Sequence, residues 1–366
     1  MTDHDQAESH HSGLYEASEF LDAAPDAVIP EREVSLTRRV LNIRTLGSLA
    51  FGVFLLVLLF RFVLNVDLAA TWHLIQGASL GLLLAAFAVY YATFPIRGRR
   101  WLFILKQVGS EVPYWAATQI LFLSWWVNCL VPAKLGDLYR AWLLKGNFGG
   151  STSRNVGTIF VERIADIVVI FGLALAAGFW SFRGRERPGV DAIFVAGFIL
   201  AAVLLAVLIS LRVAGERVTR FLPVRVRGVY ERFREGTVGA LHTRSVVTIG
   251  LFTVIIWLAE GARVYFVIHA LDLSDAQLGI SASIFVALVA ALLTAIPLTP
   301  AGVGFVEAGI VLALTLYGVS PESAVAIALV DRAISIGSLV ILGGIGYAFS
   351  PLVRRAHGDP VQAEPG

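Results

Sequence analysis

Ten charged side chains interrupt the apolar runs of this 366-residue chain: Asp137, Arg140, Glu162, Arg163, Asp166, Glu260, Arg263, Glu307, Asp331 and Arg332. At the centre of a bilayer each would cost roughly 2.5–3.5 kcal/mol on insertion scales, so they must pair, face a bundle interior or line a wet cavity. Spacing allows some pairing within one helix. Glu162 and Asp166 lie four apart, while Arg163 and Asp166, and Glu260 and Arg263, lie three apart, so each set shares a helical face. The arginines suit bidentate contacts to a phosphate. The carboxylates suit counter-ions, a cationic head group or a proton. A structural ion-pair network is the plainer alternative.

What must position these charges is a frame that occurs twice. Pro132-Ala133-Lys134-Leu135-Gly136 is followed by Glu162-Arg163, and Pro300-Ala301-Gly302-Val303-Gly304 by Asp331-Arg332. The acidic-Arg pairs begin 30 and 31 residues after their prolines. Proline removes a backbone donor and glycine adds freedom, so both frames break a helix. Either proline alone would be an ordinary membrane-helix kink. Together they predict two hairpins, over 112–146 and 281–317, crossing fully or re-entrant. A broken helix offers N–H groups and a positive dipole end to an anion. Trp125, Trp126 and Asn128 stand just before the first break, where they could line a cavity or pack.

Composition explains why breaks and charges stand out. Hydrophobic residues make up 57% of the chain and charged ones 15%, with a mean hydropathy of +0.75, which points to an all-α polytopic membrane protein. Full spans are predicted near 46–64, 73–94, 156–180, 190–211, 246–270 and 323–349, six in addition to the hairpins. Residues 1–30 read as a disordered tail, 1–40 as acidic tail plus basic juxtamembrane segment, 41–350 as the membrane domain, and 351–366 as a short tail. No cleavable leader is apparent. Arginine bias puts both termini in the cytoplasm, with Arg97, Arg99, Arg100 and Lys106 in one inside loop and the Arg-rich 212–245 segment in another. Arg183, Arg185 and Arg187 would face outward, a misfit. Three spans between the hairpins make the second copy inverted, with repeat halves near 73–180 and 246–349.

Other features exclude chemistry. One cysteine, Cys129, rules out disulfide frameworks and clustered-Cys metal sites within one chain. The histidines are scattered, so no metal and no cofactor are expected, and no nucleic-acid partner. No Walker A, HExxH, GxGxxG or kinase signature occurs. Gly77-x-x-x-Gly81 and Gly343-Gly344-x-Gly346 suit close helix packing, and Trp72, Trp101 and Trp180 suit interfacial belts.

Asn128-x-x-Val131-Pro132-x-x-x-Gly136-Asp137-x-x-Arg140, Val161-Glu162-Arg163-x-x-Asp166 and Pro297-x-x-Pro300-Ala301-Gly302-x-Gly304-x-x-Glu307 together resemble the lysylphosphatidylglycerol synthase transmembrane region family, the flippase-like domain family. The resemblance covers about 40–350. It implies a domain of a bacterial or archaeal cytoplasmic membrane that moves lipids between leaflets, with a membrane lipid as substrate. In the synthases a soluble aminoacyltransferase domain follows. Here only 351–366 follow the last expected span, so a stand-alone member is expected and the synthase activity is not carried over. A separately encoded lipid-synthesising enzyme is then a candidate partner. The candidate head-group residues are Asn128, Pro132, Gly136, Asp137, Arg140, Glu162, Arg163, Asp166, Glu260, Arg263, Pro300, Gly302, Gly304, Glu307, Asp331 and Arg332. A membrane-embedded transferase using Asp137 or Glu307 is the rival reading.

Overall fold

The computed structural model describes residues 67–131, 134–181, 224–239, 243–294 and 299–356, with a few isolated helical positions between 195 and 206. The expected spans near 46–64 and 190–211, the tail 1–40, Pro132 and the side chain of Pro300 lie outside the described residues. Every described element is helical. A short helix α1 (Leu68–Gln76) starts at Asp67, whose carboxylate accepts from the N–H groups of Ala69 and Ala70 at 2.8 and 3.2 Å. This satisfies two donors that the first helical turn leaves orphaned. Then come α2 (Leu80–Gln107), the pair α3 (Tyr114–Leu130) and α4 (Leu135–Phe148), and the 30-residue α5 (Thr152–Ser181).

The second half follows the same order. After the basic helix α6 (Val224–Val238) come the long α7 (Thr243–Leu271), the pair α8 (Ile280–Thr294) and α9 (Phe305–Thr315), and a last long element. That last element runs as α10 (Pro321–Arg332), a π turn (Ala333–Gly337) and α11 (Ser338–Phe349), before the short α12 (Pro351–Ala356). Long helix, broken pair, long helix therefore occurs twice.

Among the described residues, Leu80–Gln107, Ser245–Leu271 and Pro321–Phe349 are long and apolar enough to cross a membrane. The last two match the expected spans. The first corrects one: the helix expected near 73–94 begins at Leu80 and continues to Gln107, with α1 as a separate element before it. Arg97 and Arg100 thus belong to a helix rather than a cytoplasmic loop, and both are buried. Only Arg99 and Lys106 of that group remain exposed. The physical reason is that both arginines find carboxylates inside the bundle, so the helix need not stop before them.

The two interrupted regions are hairpins, α3 packing on α4 and α8 on α9. Their helices have 17, 14, 15 and 11 residues, or about 25, 21, 22 and 16 Å at 1.5 Å per residue. All fall below the ~30 Å of a bilayer's hydrocarbon core. Packing between the halves is reciprocal. Helix α3 of the first hairpin lies against α11, α8 of the second lies against α5, and the long helices α2 and α7 form the most extensive contact. Gly343 of α11 meets the Trp126 ring so closely that no methyl group would fit, as expected for close packing. The Gly77–Gly81 pair is different, because no described residue lies within 4 Å of a Cβ at Gly81.

Each break has left-handed backbone at a residue that is not glycine: Lys134 at φ 53° and Ala301 at φ 53°. Glycine serves elsewhere in the frames. Gly302 and Gly304 have φ of 71° and 87°, which side chains rarely tolerate. Gly136 is needed for closeness, since a methyl there would overlap the Ser124 carbonyl and the Asn128 amide. The Asn128 Oδ1 instead accepts from the Gly136 N–H at 2.8 Å, closing the first hairpin across its break. Gly136→Ala is expected to lower stability by about 1–3 kcal/mol through this overpacking, read as a lower Tm of the purified protein in detergent.

A second contact fixes the connection outside the helices. Asp275, in the segment between α7 and α8, accepts from the Ser320 N–H at 2.8 Å and the Ser323 hydroxyl at 2.9 Å, capping α10. Burial pushes its carboxyl up, but the hydrogen bonds from Ser320 and Ser323 outweigh this and hold it below its ordinary value. The stabilisation is therefore complete above the ordinary carboxylate pKa and is lost as pH falls through the lowered one. The Tm gap between wild type and Asp275→Asn should be constant above about pH 5 and close below about pH 4.

Candidate functional site

Arginine–carboxylate contacts run through the middle of the bundle in two layers. The deeper layer is fully shielded. Arg100 donates to Asp166 Oδ1 and Oδ2 at 2.6 and 3.2 Å, and its guanidinium is also 3.0 Å from Glu162 Oε1. Arg140 of α4 holds the same Glu162 through both oxygens, at 3.3 and 2.9 Å, and lies over the Trp101 ring at 3.7 Å. Arg97 donates to Glu260 at 2.7 Å and lies 4.4 Å from the Trp125 ring and 5.5 Å from that of Trp257. Arg97, Arg100, Arg140 and Glu162 are at most 1% exposed. Guanidinium groups tolerate this because their charge is spread over a plane that both carboxylates and rings can match.

The shallower layer surrounds a cavity of about 180 Å³. Arg163 grips Asp137 with two hydrogen bonds, 3.0 and 2.7 Å, so α5 reaches back to the first turn of α4. Arg332 does the corresponding thing in the second half. It donates to Glu307, in the first turn of α9, at 2.7 Å, and to the Ala301 carbonyl in the break. Glu307 also accepts from the Gly304 N–H at 2.7 Å, satisfying the helix start. Arg263 bridges Glu260 at 3.1 Å and Asp331. Asp166 further accepts from the Trp257 indole at 3.1 Å. The two acidic-Arg pairs thus play matched parts: Arg163 and Arg332 each clamp the hairpin before them, while Glu162 and Asp331 each receive an arginine from a long helix.

The cavity is walled by both breaks and by long helices of both halves. Asn128, Val131 and Lys134 come from the first break, and Thr299, Ala301 and Gly302 from the second. Arg163, Asp166, Glu260, Arg263, Asp331 and Arg332 supply charge, while Ile167, Ile170, Ala287, Ala290, Ala291 and Ile336 supply an apolar wall. Of the residues singled out by sequence, Asn128, Arg163, Asp166, Glu260, Arg263, Gly302, Asp331 and Arg332 line it. Asp137 and Glu307 stand one step back, held by the arginines that do. Gly136 and Gly304 shape the breaks. Arg140 and Glu162 belong to the deeper layer, away from the cavity, because each finds its partner within the first half.

Several lining residues escaped sequence reasoning. Tyr90, whose hydroxyl donates to the Ser335 carbonyl at 2.8 Å, and Trp257 lie in unremarkable apolar runs. Lys134 sits inside the first frame, yet lysine there reads as a solvated turn residue. Arg97 and Arg100 were legible as arginines but not as core. Trp101, expected in an interfacial belt, is fully buried under Arg140; Trp72 and Trp180 are exposed, at 59% and 66%. Replacing Arg100 by Met leaves one carboxylate too many in the deeper layer, since Arg140 still holds Glu162 while Asp166 loses its closest guanidinium. A loss of about 3–5 kcal/mol is expected, seen as failure to accumulate folded protein, whereas Arg100→Met with Asp166→Asn should recover much of it.

Comparison with known proteins extends the reading beyond this chain. The chain is 33% identical over 222 residues to a UPF0104 membrane protein of Methanocaldococcus jannaschii, covering 60% of this chain and 92% of that protein. It is 28% identical over 351 residues to the glycosyltransferase AglD of Haloferax volcanii, covering 86% of this chain but 55% of that protein. The chain therefore spans about half the length of that relative. A UPF0104 membrane protein of Pyrococcus horikoshii is 21% identical over 300 residues, 75% of this chain. The profile described as the lysylphosphatidylglycerol synthase TM region matches residues 46–343. With that match and its apolar helices, the chain belongs to this family of multi-pass membrane proteins.

Proposed function

We propose that the chain is a lipid translocase of a prokaryotic cytoplasmic membrane, moving a phosphate-bearing lipid between leaflets. The observation that carries this reading is the cavity between the two hairpin breaks, lined both by arginines and carboxylates and by alanine and isoleucine. At about 180 Å³ such a site suits the head of an amphipathic cargo, its phosphate among the arginines and only the start of its chains against the alanines and isoleucines. Arg163 and Arg332 are the phosphate contacts, each oriented by a carboxylate behind it.

The hairpins are re-entrant in this reading, and the second half is an inverted copy of the first. The repeated element order and the reciprocal packing of each hairpin against the other half support it. Inverted halves have two alternative arrangements of similar energy, open to opposite sides, and rocking exchanges them around a fixed site. Both termini are cytoplasmic by arginine bias.

The test is leaflet exchange in proteoliposomes with fluorescent lipids. Wild type should exceed protein-free liposomes for at least one phospholipid. Arg163→Gln and Arg332→Gln should each slow exchange by about tenfold or more while still purifying as folded protein. Exchange equal to protein-free liposomes across a broad lipid panel rejects the proposal.

A transferase acting on a lipid-linked donor is the second reading, drawn from the likeness to AglD. It needs a carboxylate free to act as base. Both Asp137 oxygens are engaged by Arg163, and Glu307 is divided between Arg332 and the Gly304 N–H. The transport reading is preferred on that ground. Loss of a transferase activity in Asp137→Asn, with lipid binding intact, would reverse the preference. A third role, as assembly partner of a separate lipid synthase, would leave leaflet exchange absent altogether.

A further inference from the structure

The charges lining the cavity are almost all already spent on one another. Arg163 is held by Asp137, Arg332 by Glu307, and Arg263 by Glu260 and Asp331. The lining carboxylates are equally committed: Asp166 to Arg100, Glu260 to Arg97 and Arg263, Asp331 to Arg263. The neutral groups are satisfied too. Tyr90 donates to Ser335, Trp257 to Asp166, and the Thr294 and Thr299 hydroxyls donate to backbone carbonyls. Among the lining side chains that are strong donors or acceptors, two have no partner among the described residues: the Lys134 ammonium and the indole N–H of Trp125, whose nitrogen is buried.

Both are donors without an acceptor lone pair. Their complement must bring acceptor oxygens, and to match the ammonium it must bring negative charge. A cationic head group has no such match here. Its amine would find every lining carboxylate already bound to arginine, and it would face Lys134 across a low-dielectric space. The volume narrows the choice further. About 180 Å³ is below the ~300–1,000 Å³ typical of drug-sized sites, so it suits a compact anion rather than a sugar chain. The Lys134 backbone is left-handed at φ 53° and ψ 36°, immediately before α4.

We infer that the cargo is a net-anionic phospholipid with a compact phosphate head, selected over aminoacylated, cationic lipids by Lys134 and Trp125. The inference rests on the lipid reading above and deepens it. Lys134 offers its charge without breaking a clamp, whereas Arg163 and Arg332 reach the phosphate only by exchanging the carboxylates they hold. Trp125, on α3, adds a directed hydrogen bond while its ring keeps Arg97 in place.

The experiment uses the full chain in detergent. Binding of didecanoyl phosphatidic acid, didecanoyl lysyl-phosphatidylglycerol, didecanoyl phosphatidylcholine and inorganic phosphate is measured by thermal shift and native mass spectrometry. Lys134→Asn is the main variant, because asparagine tolerates left-handed backbone while removing the ammonium. Trp125→Phe keeps the ring and removes the N–H. Phosphatidic acid should bind wild type at least about tenfold tighter than the lysylated or choline lipid. Lys134→Asn should weaken it by about tenfold or more and Trp125→Phe by a few-fold, with lipid-free Tm unchanged. Preference for the lysylated lipid, or an unaltered phosphatidic acid affinity in Lys134→Asn, overturns the inference and leaves the lipid reading standing. Inorganic phosphate binding as tightly as phosphatidic acid overturns both, since the anion would then be the ligand without its chains. Selective binding of phosphatidic acid without leaflet exchange upholds the inference and removes the translocase.

Discussion

Two arginines one turn apart on α2, Arg97 and Arg100, tie the halves of the chain together. Arg97 reaches Glu260 on α7, and Arg100 takes Asp166 on α5 while donating to Thr253 on α7 at 2.8 Å. Much of the polar centre shares a carboxylate with these contacts. Asp166 and Glu260 line the cavity with an arginine of α2 behind each to offset its charge. Glu162 can receive Arg140 from the hairpin because Arg100 shares the same carboxylate. In an apolar bundle such pairs contribute little net stability by forming, yet leaving one partner alone is costly. They act mainly as register pins, fixing which turn of one helix faces which turn of the next.

The layering separates two kinds of charge that look alike along the chain. Arg140 and Arg163 both follow the first break, both are arginines in helices, and both pair with a carboxylate. Arg140 is sealed beneath Trp101, whereas Arg163 faces open volume and holds Asp137 from the front. The second half differs: Arg263, bridging Glu260 and Asp331, lines the cavity together with Arg332, which pulls α9 and its break together. Each half thus carries an arginine that clamps its own hairpin, and each clamp can loosen only by exchanging its carboxylate for another anion.

How far this was legible in the sequence follows from what each signal measures. The hairpins were legible because proline and glycine act locally, and the pairing of Glu260 with Arg263 because spacing along one helix is enough. The clamps were foreshadowed by the matched spacing of Glu162-Arg163 and Asp331-Arg332. Arg97 and Arg100 read as loop residues because arginine after an apolar run looks the same whether it meets lipid head groups or a buried carboxylate 66 or 163 residues away. Their partners are tertiary facts. Lys134 was passed over for the converse reason, since its neighbours Asp137 and Arg163 engage each other and leave it over, which no local pattern reveals.

The shortness of the hairpin helices has an electrical side. Segments of about 16–25 Å that meet at a polar break leave only part of the bilayer's thickness between the break and either surface. A transmembrane voltage falls across what insulates, so part of it falls across this cavity. An anion exchanged between leaflets through such a point carries charge through that field, at about 2.3 kcal/mol per elementary charge per 100 mV. That energy corresponds to a ratio of roughly fifty between the two leaflets at equilibrium. For an anionic cargo the membrane's own polarisation, negative inside, would then be a sufficient source of direction, drawing the lipid outward without any nucleotide.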